Sequence, residues 1–257
     1  MTFKVVIPAR HASTRLPGKP LLDLGGRPMI RWVIDAAVRS GAQEVLVATD
    51  DERIAAVASD RTNPSRAIAI MTRSDHPSGT DRIAEVAARR GWDERTIVVN
   101  VQGDEPQLPP AVIGQVATLL ERAPEADIAT LCTPVASVQE FLDPNVVKVV
   151  TGRGDLALYF SRAPIPWHRD GAPQGLSSQA SIVGARRHLG IYAYRVAALQ
   201  RLTSLPPSDL ELTEKLEQLR ALQAGMRIVV ATLAEPPPAG IDTEEDLVRV
   251  RAALAAR

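Results

Sequence analysis

Val5-Val-Ile-Pro-Ala-Arg-His-Ala-Ser-Thr-Arg-Leu-Pro-Gly-Lys19 joins an apolar run to a loop rich in cations. Phe3 to Ile7 is apolar and largely β-branched, which predicts a buried strand, and Pro8 is expected to end it because proline cannot donate to a ladder. The following loop carries Arg10, Arg15 and Lys19, separated by Ala12, Ser13, Pro17 and Gly18. Fixed cations and backbone N–H groups beyond the carboxyl end of a first strand suit a polyphosphate, and Gly18 permits close approach of the backbone. Isolated surface cations are more simply solvated; three in one turn-rich loop favour phosphate. The loop is not a Walker A sequence, since Gly18-Lys19 is followed by Pro20 and no glycine stands at the required upstream position.

Working outward, Pro28 opens a helix to about Ser40 with Met29, Ile30, Val33, Ile34, Ala37 and Val38 on one face, and Gly41 caps it. Glu44–Thr49 and Ala67–Met71 read as strands, with Asp50-Asp51 capping the intervening helix. Alternating strands and helices predict a parallel sheet with ligands gathered beyond the carboxyl ends of its strands. Met71 to Arg82 is a polar loop entering a helix, which Thr80 or Asp81 should cap. Ser78, Gly79 and that helix start offer hydroxyl and backbone donors for a base edge or ribose, although a plain cap turn with a solvated Arg73 reads equally well. His76 has no second histidine at ligand spacing and is not read as a metal ligand.

Thr96 to Val101 predicts a fourth strand, with Gln102-Gly-Asp-Glu-Pro106 at its tip. Asp104 is a hard carboxylate expected at the same edge as the first loop, as Mg²⁺ bridging a triphosphate requires; a turn-forming aspartate is the plainer alternative. Glu105 is expected to point elsewhere. Pro109–Ala123 reads as a helix and Ile128–Val135 as a strand holding a small buried Cys132.

Beyond residue 134 the pattern changes. Asn145–Val150, Ala157–Phe160 and Gly190–Arg195 read as strands without crossover helices, separated by long loops. This predicts a smaller mixed lobe over 134–226 for a second substrate and a dimer contact, beside a core of 1–133 and 227–257. Arg162, His188 and Tyr192 suit the carboxylate and hydroxyls of an acidic sugar, or are simply packed residues. Leu210–Ala224 reads as one helix with Leu212, Leu216 and Leu219 inward and Glu211, Glu214 and Gln218 on another face. Arg227–Leu233 is a last core strand, and Asp242 or Thr243 can cap a helix from about Glu244 to the end.

The whole chain sets limits. Its 257 residues are 45% hydrophobic, enough for a sizeable core. Lys+Arg and Asp+Glu are 30 each, and there is no long basic run, which argues against nucleic acid or anionic lipid as partner. No apolar run approaches the roughly eighteen residues of a membrane span. A strand starting within two residues of Met1 leaves no room for a signal peptide, and a single cysteine allows no intrachain disulfide, so a cytoplasmic location is expected.

The ordered set Ile7-Pro-Ala-Arg10, Ala48-Thr-Asp50, Met71–Arg82, Asn100–Pro106, Tyr159-Phe-Ser-Arg162, Arg187–Tyr192, Leu216–Arg220 and Ile241-Asp-Thr243 resembles the 3-deoxy-D-manno-octulosonate (Kdo) cytidylyltransferases. The resemblance implies a Rossmann-like α/β nucleotidyltransferase fold, with a mostly parallel mixed sheet flanked by helices and a smaller sugar-binding and dimerisation lobe. It implies transfer of CMP from CTP to Kdo for lipopolysaccharide biosynthesis, with Mg²⁺ as cofactor and a homodimer as the assembly. Arg10 and Lys19 would neutralise the leaving phosphates, supported by Ser13 and Arg15. Met71, Arg73, Ser78 and Gly79 would read cytosine, and Asp104 and Asp242 would hold the metal. Gln102, Arg162, His188, Tyr192, Glu211 and Gln218 would meet the sugar, although Leu212 stands where the family often carries histidine. A cytidylyltransferase for a sialic acid or for 8-amino-Kdo, and a CTP-binding module without activity, stay open as alternatives.

Overall fold

The computed structural model describes residues 2–11, 16–60, 67–180 and 182–255. In chain order these form β1 Phe3–Ala9, α1 Met29–Arg39, β2 Glu44–Thr49, α2 Glu52–Ala58, β3 Ile68–Met71, α3 Gly79–Arg90, β4 Ile97–Asn100, α4 Pro110–Arg122 and β5 Ile128–Pro134. There follow α5 Val138–Leu142, β6 Lys148–Thr151, β7 Ala157–Ser161, β8 Arg186–Arg195, α6 Val196–Ser204, α7 Asp209–Glu214, α8 Gln218–Gln223, β9 Ile228–Thr232 and α9 Glu244–Ala255.

The sheet order is β3-β2-β1-β4-β8-β5-β9, with β6 and β7 attached beside β8. β1 pairs in parallel with β2 and with β4, so the chain winds outward on one side of β1 and then crosses to the other. The carboxyl ends of β1 and β4 therefore border the switch point where ligands of open α/β sheets gather. β8 is antiparallel to both β4 and β5, while β9 returns parallel to β5. The central sheet thus takes a strand from within the 134–226 stretch. β6 joins β8 through one residue pair, Lys148↔Arg187, and carries β7 on its other edge.

Two apolar layers cover the sheet. Ile30, Val33 and Ile34 of α1 pack with Ile113 and Val116 of α4 on one face; Ile83 and Val86 of α3 pack with Leu199 of α6 and Leu219 of α8 on the other. A third cluster joins Leu16, Leu24 and Met29 to Ile241, Leu247 and Val250, which draws the end of the chain back onto the first loop. Burying a side chain such as Ile241, fully enclosed there, stabilises by about 1.5–3 kcal/mol.

Three local expectations are corrected. β1 runs through Pro8 to Ala9, in register with Ala48 and Thr49 of β2. Its pairing with β4 ends at Val6, so at Pro8 the strand has one paired edge and the missing donor is tolerated. Ser78, rather than Thr80 or Asp81, caps α3, accepting from the Asp81 N–H. The expected single helix over 210–224 is two, because Lys215 takes a left-handed conformation at φ 54° and ends α7. Leu212 consequently points outward, 51% exposed.

Candidate active site

The cleft at the switch point has a volume of about 280 Å³, and its wall includes Arg10, Lys19, Ser78, Gly79, Gln102, Asp104 and Asp242. Its first wall is the turn at Gly18-Lys19. Gly18 sits at φ +67° and donates its N–H to the His11 carbonyl at 3.1 Å, so the left-handed conformation of this turn calls for glycine. The turn then presents Lys19, whose ammonium donates to Asp104 Oδ2 at 2.7 Å and to Asp242 Oδ1 at 3.0 Å.

Asp104 reaches this point because Gly103 packs against β1, where an added Cβ would lie 3.1 Å from the Pro8 carbonyl. Asp242 reaches it from the far end of the chain. The Ile241 N–H donates to the Asp104 carbonyl at 2.9 Å, and Thr243 rather than Asp242 caps α9, its Oγ1 accepting from the Asp246 N–H at 3.2 Å. Asp246 in turn accepts from the N–H groups of Asp242 and Thr243, both at 3.0 Å. Burial pushes the Asp246 carboxyl upward, but these donors, the Thr243 hydroxyl and Arg249 hold it at about 2. The capping task thus falls to Thr243 and Asp246, and the Asp242 carboxylate accepts from Lys19.

A second cleft, of about 500 Å³, opens on the other side of the same pair and is lined by Glu105, Asn145, His188 and Gly240 together with Asp104 and Asp242. Burial first, and then the neighbouring Asp104 charge, raise the Glu105 carboxyl to about 7. His188 is partly buried, and desolvation lowers it to about 3, so its imidazole is neutral at pH 7. Thr130 Oγ1 donates toward the carbonyls of Ile191 at 2.8 Å and Leu189 at 3.1 Å, so it accepts from His188 Nε2–H at 3.0 Å. That tautomer leaves Nδ1 an acceptor. The shift in β5–β8 register at Thr130/Leu131 brings the His188 and Tyr192 rings to 5.3 Å.

The remaining sequence-derived residues divide. Ser13 and Arg15 lie outside the described residues. Arg73 turns away from the cleft into an exposed pair with Asp75 at 2.6 Å, and Met71 at the end of β3 is 42% exposed. Neither lines either cleft. Arg162 donates to the carbonyls of Glu214 at 2.7 Å and Pro144 at 2.9 Å, so it braces the segment beside the second cleft rather than lining it. Tyr192 stands behind His188, stacked on Tyr194, with its phenol raised by burial. The Glu211 carboxylate is engaged by Arg220 at 2.5 and 2.7 Å and by the Ser208 N–H at 3.2 Å; burial alone would raise it, and these donors keep it low. Gln218 is buried at the start of α8, and neither it nor Glu211 lines a described cleft.

Three residues emerge only from the structure. Arg82, 3% exposed, lines the first cleft and donates to Thr72 Oγ1 at 2.5 Å and Asp50 Oδ2 at 3.1 Å. An arginine within the buried Ile83/Val86 stripe of α3 was its sequence signal. Lys148 is fully buried, its ammonium donating to the carbonyls of Asp143 at 2.9 Å, Val146 at 2.5 Å and Arg162 at 2.7 Å. Its signal was a lone lysine in Val146-Val-Lys-Val-Val150. Glu217 accepts from the Thr80 hydroxyl and is raised by burial.

Two carboxylates that contact one cation together form a donor set suited to Mg²⁺, which takes one or two protein carboxylates and completes its shell from phosphates and water. Among the described residues no group of three or more His, Cys, Asp or Glu offers an all-protein metal cage.

A switch-point cleft with cations, a helix start and paired carboxylates, beside a second cleft, suits a nucleotidyltransferase. A family model described as cytidylyltransferase matches residues 4–228. The 3-deoxy-manno-octulosonate cytidylyltransferase of Thioalkalivibrio sulfidiphilus is 53% identical over 256 residues, covering 100% of both chains. That of Pseudomonas fluorescens is 55% identical over 254 residues, covering 99% of this chain and 98% of its own. A CMP:2-keto-3-deoxy-manno-octonic acid synthetase solved in complex with CTP superposes with a TM-score of 0.87 at 42% identity, covering 99% of this chain and 98% of that one. A cytidylyltransferase from Leptospira borgpetersenii, at 16% identity and a TM-score of 0.61, shares the fold. The chain belongs to the 3-deoxy-manno-octulosonate cytidylyltransferase family.

Proposed function

We propose that this enzyme transfers CMP from CTP to Kdo, giving CMP-Kdo and diphosphate. The observation that carries the reading is that Asp104 and Asp242 border both clefts, with Lys19 joining them. The first cleft would hold CTP: Ser78 and Gly79 at the start of α3 offer donors to the nucleoside, and Arg10 and Lys19 face the triphosphate. The second would hold the sugar acid, with neutral His188 accepting from a hydroxyl through Nδ1. The anomeric hydroxyl attacks the α-phosphorus in line, a sugar oxygen–phosphorus bond forms as the hydroxyl proton passes to solvent, and the bond from the α-phosphorus to the oxygen bridging it to the β-phosphate breaks. Arg10 and Lys19 neutralise the departing diphosphate. Mg²⁺, held by Asp104 and Asp242, would supply charge neutralisation at the triphosphate.

No helix among the described residues is long and apolar enough to cross a membrane, in keeping with work in the cytoplasm on two water-soluble substrates. A homodimer is proposed as well. Leu158, Trp167, Leu176 and Val183 are exposed by 64, 44, 54 and 70% within one stretch of chain, and a second copy would cover such surface.

Diphosphate release measured with CTP, Mg²⁺ and a panel of 2-keto-3-deoxy sugar acids tests the reading. Turnover should be greatest with Kdo and lost on chelation. A sialic acid or 8-amino-Kdo turned over faster than Kdo, or CTP bound without turnover of any acid, would overturn it.

A further inference from the structure

Lys19 places one ammonium against the same two carboxylates that would receive a divalent cation, at 2.7 Å from Asp104 Oδ2 and 3.0 Å from Asp242 Oδ1. Its side chain is only 12% exposed, whereas the carboxylates are 37 and 52% exposed. The approach of Asp104 to Asp242 is set by the main-chain bond from Ile241, so the pair is held together whether or not a cation lies between them. A metal ion and this ammonium cannot contact the same oxygen atoms at full strength: each cation adjacent to the pair repels the other and withdraws an acceptor from it.

We propose that Lys19 is the specificity-determining residue of the metal site: it acts as the resident counter-cation of Asp104 and Asp242 and selects a divalent ion that arrives with a polyphosphate over the free ion. A free divalent cation must displace the ammonium and leave it without its acceptors, in a turn where little water reaches it. A metal–nucleoside triphosphate complex brings replacement acceptors, the phosphate oxygens, to the same wall of the cleft that carries Lys19 and Arg10. Nucleotide and metal are then thermodynamically coupled through one lysine, and by linkage each strengthens the binding of the other. Such coupling guards the carboxylate pair from free divalent ions.

This inference rests on the assignment of Asp104 and Asp242 as the metal carboxylates, and its test needs no turnover. Mn²⁺ is titrated into the nucleotide-free full-length protein and followed by electron paramagnetic resonance and water proton relaxation, for wild type, Lys19→Met and Lys19→Gln. Two substitutions are used so that a folding defect in one leaves the other to decide. Removing the competing charge should lower the Mn²⁺ Kd by about tenfold or more. Adding Asp104→Asn to either variant should abolish that gain. An unchanged or weakened Mn²⁺ affinity in the folded variants would overturn the proposal, as would a gain that survives Asp104→Asn. Failure of the transferase reading shows separately, as absence of diphosphate release by the wild-type enzyme.

Discussion

The main-chain carbonyl of Asp104 accepts the Ile241 N–H at 2.9 Å, so one hydrogen bond between residues far apart in sequence sets the separation of the two carboxylates that border both clefts. Gly240 makes that approach possible, since a Cβ there would lie 3.0 Å from the same carbonyl. Gly240→Ala must therefore move backbone against backbone. We expect turnover to fall by about tenfold or more with the fold retained, because misplacement of catalytic groups by an ångström costs on that scale. Steady-state kinetics beside circular dichroism decide it; wild-type turnover would show that the contact is not needed.

Asp104→Ala removes one proposed metal ligand and one of the two Lys19 partners while leaving the Ile241 bond to the Asp104 main chain. Diphosphate release should fall by about a thousandfold or more in a folded protein. Retained turnover in Mg²⁺ would refute the metal assignment.

Lys148→Met keeps the length of the side chain and removes the donor to three main-chain carbonyls. A loss of about 2–4 kcal/mol in stability is expected, measured by urea denaturation. Two of those carbonyls belong to Asp143 and Val146, which line the second cleft. The kinetic defect should accordingly appear in the KM for the sugar acid more than in that for CTP.

Glu211→Gln weakens the bidentate pair with Arg220 and the reciprocal cap with Ser208. The outcome expected is lower stability with an unchanged KM for the sugar acid. A large rise in that KM would restore Glu211 to the sugar site.

His188 is neutral in the folded protein to about pH 3, whereas in the unfolded chain it titrates near 6.5. The unfolded state therefore binds the extra proton first. The stability His188 contributes is complete above about pH 6.5 and is lost as pH falls from there toward 3. Denaturation midpoints of wild type and His188→Gln should converge as pH is lowered from 7 to 4.5; a constant gap would show that His188 takes up its proton alike in the folded and unfolded chain.

Most of the sheet that carries β1 to β4 is legible in the sequence because its signals are local: apolar β-branched runs, amphipathic spacing in 29–38, and turn residues between them. The place of Asp104 follows from the same logic, since it stands just beyond a predicted strand, and that of Lys19 from the turn-rich loop after the first strand. The insertion of β8 between β4 and β5 is not legible, because antiparallel pairing across the sheet depends on partners remote in sequence. The break at Lys215 left no mark, for the left-handed residue there is a lysine rather than a glycine. Arg73 and Glu211 read as site residues because charge suggests contact; the structure engages them instead with Asp75 and Arg220. Asp242 and Thr243 suit the cap of α9 equally by residue type, and the contact of Thr243 with Asp246 decides between them.

The central claim is that chemistry occurs where the two clefts meet at Asp104 and Asp242. Anomalous diffraction at the manganese edge from crystals grown with CTP and Mn²⁺ tests it most directly. A peak within coordination distance of both the Asp104 and Asp242 carboxylates and of the triphosphate is the predicted result; a manganese–nucleotide complex bound away from both aspartates would contradict the account.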